Sequence, residues 1–139
     1  MTESEWTCLE KYIRARADEL GLRDWTIVLT REEPEDKDAG AEIHPIEGQK
    51  RALLKLPGDF RTYDPYVQRR YLTHELIHCH FQAASDIVRL TLWEERLLAH
   101  DAYTVLWSVY RRAQEDGIDG LAVEIAKGFP LIEWLKEGS

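Results

Sequence analysis

Cysteine is scarce in this chain: Cys8 and Cys79 are the only two. Small secreted domains stapled by disulfides carry more, so both are expected to be free thiols packed in helices. Long apolar runs are also missing, and no stretch approaches the roughly 18 residues that a membrane-spanning helix needs. Positive charge is in deficit, with 18 Lys and Arg against 26 Asp and Glu, a net charge of −8. The basic clusters, Arg69-Arg70 and Arg111-Arg112, are short and have acidic residues near them, so there is no basic stripe for a nucleic-acid backbone. Residues 1–10 are acidic and contain Trp6, unlike the basic and apolar regions of a signal peptide. A cytoplasmic location is the expectation, with no direct contact to nucleic acid or membrane.

What is present suits one soluble domain spanning residues 1–139. Hydrophobic residues make up 44% of the chain and charged residues 32%, enough apolar material for a core at this length. Trp6, Leu9, Ile13, Ala17 and Leu20 recur at helical spacing over residues 3–20, and Gly21 is a suitable stop. Residues 25–30 read as a buried strand, and residues 32–40 as an acidic exposed loop. Residues 41–46 and 51–56 read as two further strands, joined by a hairpin turn at 47–50.

Asp64 then serves as N-cap and Pro65 as the first helical position of a helix running to about Ala84. The spacing predicts a second helix from about Ile87 or Thr91 to Arg112, with Asp116-Gly117 breaking it. A third runs from about Asp119 to Lys127, and Gly128-Phe129-Pro130 ends that one. The tail Leu131, Ile132, Trp134 and Leu135 is expected to form a last helical turn and to dock on the domain's own core. The alternative is a partner site or an autoinhibitory plug. The order gives an α+β fold: an N-terminal helix, a small, mostly antiparallel three-stranded sheet, then helices.

The chemistry concentrates in Leu72-Thr73-His74-Glu75-Leu76-Ile77-His78-Cys79-His80. Positions i and i+4 of a helix share one face, so His74 and His78 can hold one ion. Glu75 can lean over the open position of that ion and take a proton from water, which zinc acidifies to a pKa of roughly 7. Leu72, Leu76 and Cys79 or Ala83 form the stripe that packs inward. Cys79 points about 100° away from His78, which argues against ligation by sulfur.

Zinc needs a third protein ligand. A metzincin His would fall at position 84, which is Ala, so a Glu from a later helix is expected. Stepping about 100° per residue along the second helix puts Glu95 at the centre of an apolar face with Leu98, Ala99, Ala102, Leu106 and Val109. Glu94 falls at its margin and is the alternative. Asp101 and Glu94 are candidates to orient a ligand His. His44, His80 and His100 are read as ordinary strand, helix or surface residues. Tyr63, Tyr71 and Tyr103 are possible oxyanion donors, although packing explains each equally well.

A Trp-led strand, an exposed loop, a strand pair, the His74-Glu75-Leu76-Ile77-His78 helix and a later Glu-bearing helix resemble the minimal zincins. The arrangement is similar to ImmA/IrrE-type and SprT-type metallopeptidase-like domains, including small phage and bacterial proteins of that build, over about residues 22–110. One zinc ion and a protein or peptide substrate are expected, although the resemblance carries over no particular substrate. It does imply an edge strand, 41–46 or 51–56, that holds an extended peptide by strand addition. Ile77 departs from the Gly usual before the second His in ImmA/IrrE-type domains. The expected function is a zinc endopeptidase with Glu75 as general base. The alternatives are a zinc-stabilised binding module and a hydrolase of a non-peptide amide.

Overall fold

The computed structural model describes residues 1–134 of the chain. The first helix, α1 (Glu3–Glu19), opens on a capping box: the Thr2 hydroxyl accepts from the Glu5 N–H, and the Glu5 carboxylate accepts from the Thr2 N–H. Two of the amides that a helix start leaves orphaned are satisfied in this way. Gly21, with φ of 77°, then takes the left-handed conformation that ends a helix at low steric cost.

Strands β1 (Thr26–Leu29), β2 (Glu42–Pro45) and β3 (Arg51–Lys55) form one sheet in the order β1-β3-β2. β3 runs antiparallel to β2 and parallel to β1. The sheet is therefore mixed, where the sequence predicted a mostly antiparallel one. The acidic connection after β1 is the cause. It carries the chain past the neighbouring position to the far edge, and the short hairpin returns β3 into the gap. Ala52 and Leu54 of β3 are fully buried against Leu9 and Ala17 of α1 and against Leu72 and Leu76 of the next long helix.

That helix, α2 (Pro65–Arg89), starts as the sequence indicates. Asp64 accepts from the N–H groups of Tyr66 and Val67, and Pro65 fills the first turn. Just inside it lies Gln68, 1% exposed, an amide whose burial would be costly if its polar atoms lacked partners. Its nitrogen donates to the carbonyls of Phe60 and Arg61, and its oxygen accepts from the Trp134 indole at 3.2 Å. One side chain thus joins a 3₁₀ turn (Phe60–Thr62), α2 and the C-terminal tail. Ile132 is buried in the same core, so the tail docks on its own domain as expected. Residues 131–134 are not helical, and Leu135 lies outside the described residues.

The largest departure from expectation follows α2. A short π-helical turn (Leu90–Glu94) and a turn at residues 95–99 lead into α3 (His100–Ala126). Arg96, with φ of 53°, makes the reversal. The predicted second helix thus begins later than expected and passes straight through Gly117 and Gly120 to absorb the predicted third. Each helical glycine costs about 1 kcal/mol relative to Ala. Packing offsets that cost: Ile118 and Ala122 are fully buried and cluster with Ile77 of α2. No helix among the described residues is long and apolar enough to cross a membrane.

Candidate metal centre

The inward stripe of α2 fixes the outlook of its opposite face. Leu72, Leu76 and Cys79 are buried in the core, which turns His74 and His78 toward α3. The Ile77–Ile118–Ala122 cluster sets the register between the helices. Glu115 and Asp119 flank Ile118 on α3, one helical turn apart.

Five side chains meet there. His78 Nε2 lies 3.1 Å from His74 Nε2. Glu115 reaches both rings, with Oε1 2.9 Å from His78 Nε2 and Oε2 3.1 Å from His74 Nε2. Asp119 accepts from His74 Nδ1 at 2.8 Å. That bond places the proton of a neutral His74 on Nδ1 and leaves the Nε2 lone pair facing Glu115. Glu75 lies 4.0 Å from His74 Nε2 and accepts from the Ile43 N–H of β2 at 3.0 Å.

The donor set fits a metal cation on electrostatic grounds. One donor atom each from His74, His78 and Glu115 lies within 4.8 Å of the other two. A lone pair facing a carboxylate is attractive only with a cation between them. A proton serves one such contact, whereas a metal ion serves all three. Tetrahedral zinc with ligands at about 2.0–2.1 Å requires donor separations of about 3.3 Å, close to those present. Burial lowers the His78 pKa to about 4, with the neighbouring His74 and Arg111 adding to it and Asp119 opposing, so this ring is neutral at neutral pH, as a ligand must be. Glu75, 14% exposed, is pushed up to about 8, chiefly by burial, with Glu115, Glu42 and Asp119 adding to it and the Ile43 N–H opposing.

The third carboxylate is not the one expected. Glu95 is exposed and sits in the turn after the π-helical segment, apart from the donor group. The face that centred it assumed a helix that does not exist at residues 95–99. Glu94 pairs with Arg89 instead. Asp101 is exposed near the start of α3, so the carboxylate that orients a histidine is Asp119. The spacing of Glu115 and Asp119 could have revealed both, since i and i+4 on a helix place a ligand and its neighbour's orienting group on one face. Reading Asp116-Gly117 as a break hid that signal.

The remaining candidates fall elsewhere. His44 contacts Glu42 at 2.9 Å, His80 contacts the Leu20 carbonyl, and His100 stands edge-on to Trp93. Burial raises the Cys79 thiol to about 12, so it stays protonated. Of the three tyrosines, Tyr71 lines the cleft, Tyr63 packs edge-on against it, and Tyr103 stacks on Trp107.

Two cavities share Ala41, His74 and Glu75 and so extend from either side of the site. One, of about 460 Å³, is lined by Arg70, Tyr71 and Asp119. The other, of about 290 Å³, is lined by Glu42, Ile43, His78 and Arg111. The strand bordering the site is β2, at the sheet edge, whereas β3 is central and has no free edge. Compared with models of known protein families, with curated proteins and with solved structures, the chain matches none.

Proposed function

We propose that this chain is a zinc-dependent peptidase in which His74, His78 and Glu115 hold the metal and Glu75 is the general base. The observation carrying this reading is the convergence of three ligand atoms within 4.8 Å beside a largely buried carboxylate, in a cleft open on both sides. Bound zinc supplies Lewis-acid activation of water and of the scissile carbonyl. Asp119 fixes the His74 tautomer and ring orientation, the role carboxylates commonly take behind ligand histidines. Glu75 accepts the proton of the attacking water and passes it to the leaving nitrogen.

The edge strand gives that base a second role. An extended peptide laid along β2 competes for the Ile43 N–H that Glu75 now holds at 3.0 Å, and taking it frees the carboxylate for the water. Three ligands with a nearby base are the pattern of catalytic zinc sites, whereas structural sites are closed by four residues.

Two measurements test the proposal. Protein purified without added metal should carry about one zinc per chain by elemental analysis; no uptake even after reconstitution contradicts it. Glu75→Gln should keep fold and zinc yet lose roughly 10²–10⁴-fold in turnover, the range of general acid–base catalysis. Since this needs no chosen substrate, the readout is the set of new protein termini generated in a lysate. Identical termini from parent and variant would overturn the peptidase reading.

A further inference from the structure

We propose that the exposed face of the first half of α3 is an interface with a second copy of this chain, the two helices packing antiparallel. The inference is independent of the metal centre. One side of this segment is already occupied: Tyr103, Trp107 and Tyr110 stack in series, and the Tyr110 hydroxyl meets Ser85 of α2. Rotated away from them lies a bare apolar stripe. Val105 is 66% exposed, Val109 55% and Leu106 42%. With Ala102 and Ala113, also exposed, Leu106 and Val109 recur at steps of four, three and four, the spacing of a helix–helix seam.

Two features select another copy as the occupant. The stripe reads small, large, large, small from Ala102 to Ala113, so it is nearly the same from either end. A two-fold dimer requires that self-complementarity. The second feature is charge. Asp101 and Arg112 lie about 20° apart around the helix, on one flank of the stripe and near its opposite ends. Both are exposed, and among the described residues neither is in an ion pair. In an antiparallel pair like flanks meet, so Asp101 faces the partner's Arg112, and symmetry makes the contact twice. A parallel pair sets like charges at one level instead. Such rim pairs add little affinity but set orientation.

Sedimentation across a range of concentrations tests this, with circular dichroism as the folding control. The parent should move reversibly from 16.3 kDa to twice that mass. Leu106→Glu with Val109→Glu, both at exposed positions, should fold and remain monomeric at every concentration. Asp101→Arg and Arg112→Asp should each weaken the dimer by about tenfold, and an equimolar mixture of the two should pair with each other in preference to themselves. A parent that stays monomeric throughout would overturn the proposal and leave this face to some other partner. A dimer indifferent to the double Glu variant would overturn it too. A dimer lost in that variant but indifferent to charge reversal would overturn the antiparallel arrangement.

Discussion

The α2–α3 pair has two unlike ends. Near Ile118 the helices press together over the buried Ile77, Ile118 and Ala122, and five ionisable side chains gather beside the seam. Toward Trp93 a tilted Trp93–Tyr103 contact ties the connecting turn to α3, α2 meets α3 through the Ser85–Tyr110 hydroxyls, and aliphatic side chains on the outer face meet water. At the first end tight packing fixes where charges sit, which a ligand set requires. At the second end the ring contacts run along α3 and onto the turn before it, and the aliphatic surface beside them stays exposed.

Ile118→Ala should produce the largest difference between the ends. Removing a fully buried side chain costs about 2–5 kcal/mol, whereas Val109→Ala, at an exposed position, should stay within about 0.5 kcal/mol. Urea denaturation of the two variants at a concentration where the chain is monomeric checks this, and equal losses would mean that the ends are packed alike. Next comes Glu115→Ala, expected to weaken zinc binding by about 100-fold, or about 2.7 kcal/mol, while Glu95→Ala leaves it unchanged. Competition against a chelator measures both, and the reverse order would restore the carboxylate that sequence reasoning favoured. Asp119→Ala removes the orienting group, not a ligand, and should cost roughly tenfold, at the lower end of what such partners contribute. Zinc affinity equal to the parent's would remove Asp119 from the site. The smallest effect is a gain. A Cβ at Gly117 meets nothing within 4 Å, so Gly117→Ala should stabilise the chain by about 0.5–1 kcal/mol. A fall in melting temperature would show that the glycine is needed for close approach.

The same contrast explains what could be read from the sequence. α1, the three strands and the start of α2 carry local signals: a Gly stop, strand-length apolar runs and a Pro after an Asp cap. Their order and the α+β class follow from those. His74, Glu75 and His78 lie within one helical turn, so backbone geometry alone brings them together. The third carboxylate lies 37 positions beyond His78, and its placement depends on whether a helix survives Gly117. Tertiary packing of Ile118 decides that, and local propensity argues against it. Sheet order was hidden for a related reason, because strand direction depends on the path of an irregular loop. The tail was half legible: its apolar cluster foretold docking, but the hydrogen bonds of Gln68 that receive Trp134 had no sequence signature.

Edge strand β2 has one more consequence. The Ile46 N–H points inward to the Arg51 carbonyl, and the Ile43 N–H points outward to Glu75, so by alternation position 45 faces outward as well. Proline stands there and has no N–H to offer. The outer rim from 43 to 45 therefore presents no free amide donor. Uncontrolled sheet growth between molecules needs such donors, and proline or charge on an edge strand is how natural sheets prevent it. In this chain the two devices are Pro45 and Glu75, so the strand beside the cleft resists adding stray neighbours and aggregating through its edge.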